Sequence, residues 1–548
     1  MKPPRFTDEM VTEYMEKGYW DNLTFAEIWD RNAEKYPEKE AIVDSKTRIT
    51  WSKAKQLIDR LALGLMELIQ RDRVLVIQLP NCTELVLLYV ACQKVGIIHM
   101  EALINLQHRE IEHMLRVVEA EGIVIPWKFR NFDHFAMVEE IRPSLPHLKH
   151  IFVADDEVPE GAISIAEMMY QPLEARYPLG RVHERRFEAT EVIGLRHTSG
   201  TTGFPKIVEQ VMCVRVLLAK ELVRAFKLTS DDVVAAVTPV SGGPAQPALI
   251  AAPMLGAKIV LMERFDTEEF FKLIEREKVT VAGVVPTILD RMVRHPSLSK
   301  YDLGSLRAIN CSGSPLTCSL AQEAEEKLNC PIFQRYGIQD IGSLTSSSVD
   351  DPQNARHTTV GKPLKGSEIK IVDDAGTEVP KEEVGEIILR GALAVSGYYE
   401  DVERTRQTWD AHGWARTGDL GRFDEQGNLR IIGRVKDIII RGGQNIDPVE
   451  VEDVLRIYPK VSAVAVVGIP DPIMGERVCA YVVPKPGKTF TFEEVISFLR
   501  EKRVAPFKLP ERLEVIDKLP LVADQKVDKK ALKQDIASKL ALEKASTR

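Results

Sequence analysis

The sequence predicts an α/β multidomain protein: a large N-terminal body of two α/β layered subdomains plus a small β-barrel, then a smaller, mobile α+β lid domain. Three observations carry this expectation. Short apolar runs alternate with helical patterns from about residue 72 to about 345, the signature of helices layered on largely parallel sheets. After about 355 the strands become short and turn-linked. Beyond 434 two capping boxes flank one long apolar run, which marks a separate α+β unit.

The elements follow in order. Residues 72–80 (Asp-Arg-Val-Leu-Val-Ile-Gln-Leu-Pro) read as a buried strand. Asn81 stands where it would cap the next helix, which runs to about Lys94 and ends at Gly96. The runs 123–126, 150–153, 192–195, 233–238, 258–262 and 280–285 read as further buried strands. Strands at 368–372, 385–390, 420–423 and 429–432 are joined by turns such as Asp373-Asp374-Ala375-Gly376 and Asp424-Glu425-Gln426-Gly427-Asn428. They predict a small antiparallel barrel or meander over about 355–433. Asp447-Pro448-Val449-Glu450 joins a capping box to a proline at the first helical position. Thr491-Phe492-Glu493-Glu494 is the second box, and Val461–Ile469 is the strand between them. The polar segment Gly433-Arg434-Val435-Lys436-Asp437 sets the expected boundary, giving a body of 1–433 and a lid of 434–548.

Composition narrows the function classes. The 548 residues are 28% charged and 44% hydrophobic, ordinary globular usage that supports roughly three or four domain-sized units. Net charge is −8 with no basic block, which argues against nucleic acid or an anionic membrane as partner. The first ten residues are polar, and no apolar stretch nears the ~18 residues of a membrane span. Seven scattered cysteines with no close Cys/His pairing suggest reduced thiols rather than disulfides or zinc. A cytoplasmic protein is expected.

One stretch is richest in chemistry: Thr198-Ser199-Gly200-Thr201-Thr202-Gly203-Phe204-Pro205-Lys206, directly after an apolar run. Glycines let backbone amides approach an anion, hydroxyls add donors, and the lysine adds a mobile charge. That set suits a polyphosphate. The spacing is not the Gly-Lys-Ser/Thr ending of the Walker loop, because Phe204-Pro205 separates Gly203 from Lys206. Three further segments fit a nucleotide. Arg335-Tyr336-Gly337-Ile338-Gln339-Asp340 offers an aromatic face for a purine and a hard oxygen ligand for Mg²⁺. Gly413-Trp414-Ala415-Arg416-Thr417-Gly418-Asp419 ends in a carboxylate able to accept two ribose hydroxyls. Lys526 lies in Asp524-Gln525-Lys526-Val527-Asp528. Taken singly each has a plain alternative: a solvated loop, a core tyrosine, a turn aspartate, one more surface lysine among 73 basic residues.

Taken together and in this order, Thr198–Lys206, Tyr336-Gly337, Thr417-Gly418-Asp419, Gly433–Asp437 and Lys526 resemble the adenylate-forming superfamily. That superfamily includes acyl-CoA synthetases, aryl-acid adenylating enzymes, carrier-loading adenylation domains and beetle luciferases. The resemblance spans Tyr19-Trp20 to Ala531, and the N-terminal texture looks most like free-standing aryl-acid AMP ligases. It implies an enzyme that joins a carboxylate to the α-phosphate of ATP, releases pyrophosphate, and passes the acyl group to a thiol with loss of AMP. By this resemblance Thr198, Ser199, Gly200, Thr201, Thr202, Gly203 and Lys206 hold the β- and γ-phosphates. Gly313, Ser314 and Pro315 edge the adenine, and Tyr336 stacks on it within Arg335-Tyr336-Gly337. Asp419 takes the ribose, assisted by Arg434. Gln339 faces the α-phosphate, Asp340 holds Mg²⁺, Lys526 bridges carboxylate and α-phosphate, and Lys436 is the hinge. Val240, Ser241, Gly242, Gly243, Asn310, Ser312 and Ile338 line the acid pocket.

Four departures from the usual pattern stand out. Gln339 replaces a small hydroxyl residue, Asp340 replaces glutamate, and Ile207 and Gln525 stand where glycine is common. Gly242 and Gly243 occupy positions where relatives carry His, an aromatic or a substrate-binding Asn. They leave volume for an aryl, cyclic or medium-chain acid. The implied acceptor is coenzyme A, or alternatively the phosphopantetheine arm of a separate carrier protein. A catalytically degenerate nucleotide-binding protein is the reading from another class, and homodimerisation is left open.

Overall fold

The computed structural model describes residues 5–198, 205–435, 437–442, 444–471, 473–522 and 526–546. It divides into two compact units, Met1–Leu316 with Leu320–Ile369 and Leu389–Ala415, and Thr317–Ser319 with Lys370–Ile388 and Arg416–Arg548.

The first unit is built on two sheets. The elements used below are, in chain order, α1 (Phe25–Lys35), β1 (Glu40–Val43), β2 (Val74–Ile77), α2 (Thr83–Lys94), β3 (Ile98–Glu101), β4 (Gly122–Ile125), β5 (His150–Val153), β6 (Val192–His197), β7 (Ile207–Val211) and α3 (Met212–Phe226). They are followed by β8 (Val233–Ala236), β9 (Lys258–Leu261), β10 (Val281–Val284), β11 (Ala308–Cys311), β12 (Ile332–Ile338) and β13 (Gly342–Ser346). A seven-stranded sheet runs β7-β6-β3-β2-β4-β5 and ends on Ile163–Ser164. All its neighbours are parallel except the edge pair β6–β7. A nine-stranded sheet runs from Lys362–Pro363 through β13-β12-β11-β10-β8-β9-β1 to Arg48–Thr50. Its middle is parallel and its edges antiparallel. Strands such as Val74-Leu75-Val76-Ile77 are buried at every position, because helices cover both faces of a parallel sheet. The sequence expectations for these strands hold to within three residues at each end.

Asn81 does not cap α2. The N-cap is Cys82, which makes no side-chain capping bond. Asp44, just beyond β1, supplies the cap instead, accepting from the Thr83 amide at 2.8 Å and its hydroxyl at 2.6 Å. Asn81 is released for another task. Its amide nitrogen donates to the carbonyls of Thr238 at 2.8 Å and Met262 at 3.1 Å, and its oxygen accepts from the Val240 amide at 3.1 Å. It thereby ties the first sheet to loops of the second.

The second unit holds β14 (Ser367–Val372, from Lys370), β15 (Gly385–Gly391, to Ile388), β16 (Ala415–Phe423, from Arg416) and β17 (Leu429–Arg434), four strands sheeted in chain order. Beyond them come β18 (Ile439–Arg441), β19 (Gln444–Ile446), α4 (Pro448–Arg456), β20 (Val461–Asp471), β21 (Gly475–Pro484), α5 (Phe492–Glu501), β22 (Arg512–Val515), β23 (Leu521–Val522), β24 (Lys526–Val527) and α6 (Lys529–Ser546). Asp447 caps α4 by accepting from the Val449 amide, and Thr491 with Glu494 forms a full capping box on α5. The β20–β21 hairpin is apolar on both faces. Val464 and Val466 pack with Val451, Leu455 and Leu499, while Ala465, Val467 and Ile469 pack with Leu532 and Ile536 of α6. This explains why the run 461–469 lacks the alternation of a half-exposed strand.

The second compact unit includes Arg416–Arg548, and within it β16 and β17 pair with Asp419 opposite Arg434. Among the described residues no helix is long and apolar enough to cross a membrane, and no group of three or more His, Cys, Asp or Glu is placed to hold a metal ion.

Candidate active site

The phosphate-loop segment connects β6 to β7. Of it, Ser199, Gly200, Thr201, Thr202, Gly203 and Phe204 lie outside the described residues, and its two ends are described. Those ends are stapled. The Thr198 amide donates to the Lys206 carbonyl at 2.9 Å, and the Lys206 amide donates to the Thr198 hydroxyl at 3.2 Å. An antiparallel strand pair thus closes the base of the loop.

Lys206 reaches across to β12 and β13. Its ammonium donates to Asp340 Oδ2 at 3.1 Å and to the Tyr398 hydroxyl at 3.3 Å. Tyr398 in turn donates to the same Asp340 oxygen at 2.8 Å. Burial pulls the ammonium pKa down, but Asp340 and Tyr398 outweigh it, so Lys206 stays above its ordinary value. The Tyr398 phenol is raised, first by burial and then by the Asp340 charge. Asp340 Oδ2 is therefore committed, and among the described residues no hydrogen bond reaches the other oxygen. This fits Mg²⁺, which takes one or two carboxylates and completes its shell with phosphate and water.

Gln339 closes the arrangement. Its amide donates to the His197 carbonyl at 2.8 Å, tying the end of β6 to the β12–β13 turn. The donor expected to face an α-phosphate is engaged with backbone, with a second N–H left on the same nitrogen.

The acid-wall residues also converge. Asn310 and Ser312 are buried together, the Ser312 hydroxyl donating to Asn310 Oδ1 at 3.3 Å and Asn310 donating to the Phe333 carbonyl at 3.3 Å. The segment Val240–Gly243 runs into Pro244, which lies close over Gly283 of β10 and beside Gly313. A Cβ at Gly283 would sit 1.8 Å from the Pro244 carbonyl oxygen, and one at Gly313 would sit 3.9 Å from Pro244 Cγ. Gly243 has nothing within 4 Å of the Cβ position, so the wall is open there. Arg335, expected beside the nucleotide, turns towards this wall and donates to Gln246 Oε1 at 2.9 Å.

In the second unit Asp419 is buried, and Arg434 Nε donates to it at 2.9 Å. Gly418 has φ +70°, and its amide donates to Glu386 at 3.1 Å. Lys436 and Gln525 lie outside the described residues. Of Lys526 only the backbone is described, paired with Val522.

Sequence reasoning missed Tyr398, Gln246 and Asn81. Tyr398 is 192 residues from its lysine partner and sits in Ser396-Gly397-Tyr398-Tyr399, which carries no charge or spacing signal.

A family model described as AMP-binding enzyme matches residues 29–399, and one described as AMP-binding enzyme C-terminal domain matches 450–526. The chain is 32% identical over 535 residues to a 2-hydroxy-7-methoxy-5-methyl-1-naphthoate–CoA ligase of Streptomyces carzinostaticus, covering 96% of this chain and 95% of the relative. It is 29% identical over 538 residues to a 2,3-dihydroxybenzoate–AMP ligase of Bacillus subtilis, covering 97% of each. Among solved structures, the anthranilate CoA ligase AuaEII in complex with anthranoyl-AMP superposes with a TM-score of 0.86 at 26% identity, covering 95% of this chain and 98% of the other.

Proposed function

The chain belongs to the AMP-binding enzyme family, and from that premise we propose how its residues carry out an AMP-forming acid–thiol ligation. The enzyme activates a carboxylic acid with ATP as an acyl-adenylate, releases pyrophosphate, and transfers the acyl group to a thiol. Coenzyme A is the acceptor in this reading, and the acid is aryl, cyclic or medium-chain.

The observation that carries the reading is the junction of Lys206, Asp340 and Tyr398 at the mouth of the stapled Thr198–Lys206 loop. Two anions, a carboxylate and a triphosphate, must approach within bonding distance, and their repulsion has to be offset by fixed positive charge. The loop amides and Lys206 hold the terminal phosphates. Asp340 would hold Mg²⁺, which would neutralise phosphate charge when bound. Tyr336 stacks on the adenine, with Gly313, Ser314 and Pro315 at its edge, and Asp419 with Arg434 takes the ribose. Lys526 supplies a mobile ammonium to the reacting carboxylate and the α-phosphate. Its withdrawal, with Lys436 as the hinge, opens the way for the thiol. The acyl-adenylate hydrolyses in water, so the acid wall must stay dry at the reacting carbon.

Acid-dependent exchange of pyrophosphate into ATP tests the reading, and absence of exchange with every acid would favour a degenerate nucleotide-binding protein. Lys526→Ala should cut the exchange by about 10²–10³-fold while thioester formation from supplied acyl-adenylate survives. Equal loss of both half-reactions would refute the role of Lys526. Free coenzyme A against a phosphopantetheinylated carrier protein, as acceptors in one assay, decides the thiol.

A further inference from the structure

Segment 394–399 joins the two sheets of the first unit beside the phosphate loop. β7 is the edge strand of the seven-stranded sheet, and the segment pairs along its free side. Val208 and Tyr398 form an antiparallel bridge, the Tyr399 amide donates to the Ile207 carbonyl at 2.9 Å, and the Glu209 amide donates to the Gly397 carbonyl at 3.1 Å. The other end of the segment reaches the turn that carries Asp340. Ala394 bridges Gly342 at the start of β13, and the Val395 amide donates to the Ile341 carbonyl at 2.9 Å. The segment therefore connects the strand that follows Lys206 to the turn that holds Asp340, and its own Tyr398 hydroxyl meets both side chains.

This backbone pairing is short, and side chains complete it. Glu209 and Ser396 are both buried, and the Ser396 hydroxyl donates to Glu209 Oε2 at 2.6 Å. Arg5 donates from Nε and Nη2 to the Val395 carbonyl at 3.1 and 2.7 Å. The Tyr398 amide donates to the Thr405 hydroxyl at 3.0 Å, and a Cβ at Gly397 would lie 2.9 Å from Thr405 Cγ2, so the chain is held close on that side too. Lys206 lies over the Tyr398 ring, 5.0 Å from its centroid. Among these anchors Glu209 is the least expected. A buried strand position is filled at lower cost by an apolar side chain, because a buried carboxyl gives up its hydration. What the carboxyl provides is a grip on Ser396, two residues before Tyr398, from a position three residues after Lys206.

Resting on the ligase reading, we propose that Glu209 is a positioning residue for the triphosphate: by holding Ser396 it fixes segment 394–399 against β7 and keeps the Tyr398 hydroxyl on Lys206 and Asp340. Glu209 touches neither nucleotide nor acid in this scheme and acts through Tyr398. Its loss displaces the ammonium and the carboxylate that serve the terminal phosphates and Mg²⁺, and leaves the acid wall around Asn310 and Ser312 in place. A misplacement of about 1 Å at such a site costs up to roughly 10²-fold.

The test measures pyrophosphate release by the full-length chain with ATP and acid varied in turn. Glu209→Leu should raise KM for ATP about 10-fold and leave KM for the acid within about 2-fold of the wild type. Glu209→Gln keeps an oxygen for the Ser396 hydroxyl and should restore KM for ATP to within about 2-fold of the wild type. Ser396→Ala removes the same bond from the other side and should raise KM for ATP as well. Glu209→Leu combined with Tyr398→Phe should be no worse than the poorer single variant, because both act on one contact. A purely structural role would behave differently, since loss of folded molecules lowers the apparent kcat and leaves both KM values unchanged. The inference is overturned, with the ligase reading left standing, by an unchanged KM for ATP in Glu209→Leu and Ser396→Ala, by a Glu209→Gln as impaired as Glu209→Leu, or by additive losses in the double variant. If no acid releases pyrophosphate, the ligase reading fails, and calorimetric affinity for ATP with Mg²⁺ decides the positioning role alone: equal affinity in wild type and variants, or none in the wild type, overturns it. If Glu209→Leu does not fold, Ser396→Ala and Glu209→Gln carry the same comparison.

Discussion

Asp340 shows what a single shorter side chain requires. Its Oδ2 accepts from both Lys206 and Tyr398, so the carboxylate is held at fixed orientation. Asp340→Asn should lower kcat/KM for ATP by about 10²-fold, the scale of a lost preorganised charge. Tyr398→Phe removes only an orienting bond and should cost roughly 10-fold or less. Pyrophosphate release at saturating acid checks both, and equal losses would mean that Tyr398 touches the nucleotide itself. Beside them, burial raises the Glu209 carboxyl to about 7, against the bond donated by Ser396. Between its ordinary value near 4.5 and about 7 the folded chain keeps a proton that the unfolded chain has lost. Stability therefore falls as pH rises through that window and is level above it. Glu209→Gln should abolish the slope and stabilise the protein at pH 8 by up to about 3 kcal/mol. Urea unfolding at pH 5, 6, 7 and 8 reads this directly.

Elements in this fold are fixed by residues far away in the chain. The start of α2 depends on Asp44, 39 residues upstream, and the register between the two sheets depends on Asn81. Asp44→Ala removes a helix cap and should cost about 1 kcal/mol. Asn81→Ala strands carbonyls at Thr238 and Met262 and the amide of Val240, and should cost about 3 kcal/mol. Denaturant midpoints should rank the two in that order. The strands were legible because continuous apolar runs need no partner to be recognised. The cap was misread because Asn81 adjoins the helix start in sequence, whereas Asp44 lies 39 residues upstream and meets Thr83 only in the folded chain. The Lys206 motif was legible from spacing. The bond from Arg335 to Gln246 was not, because strand direction alone does not say which neighbour a long side chain will find.

At the scale of the molecule, both apolar cores beyond residue 438 draw only on residues from 439 onward. A fragment spanning 434–548 should therefore unfold cooperatively on its own, and a melting curve with dispersed amide resonances would establish it. Failure to fold would mean that β16 and β17, which belong to the same compact unit, are needed to complete it. What the sequence determined by itself was local: which runs are strands, where two helices begin, and which loop has the chemistry for phosphate, since glycine freedom, capping and apolar burial act over a few residues. The tertiary structure decided the rest. It brought Tyr398 to Asp340, Asp44 to Thr83 and Arg335 to Gln246. Such pairings join groups distant along the chain, and their free energy exists only once folding has removed the water between them.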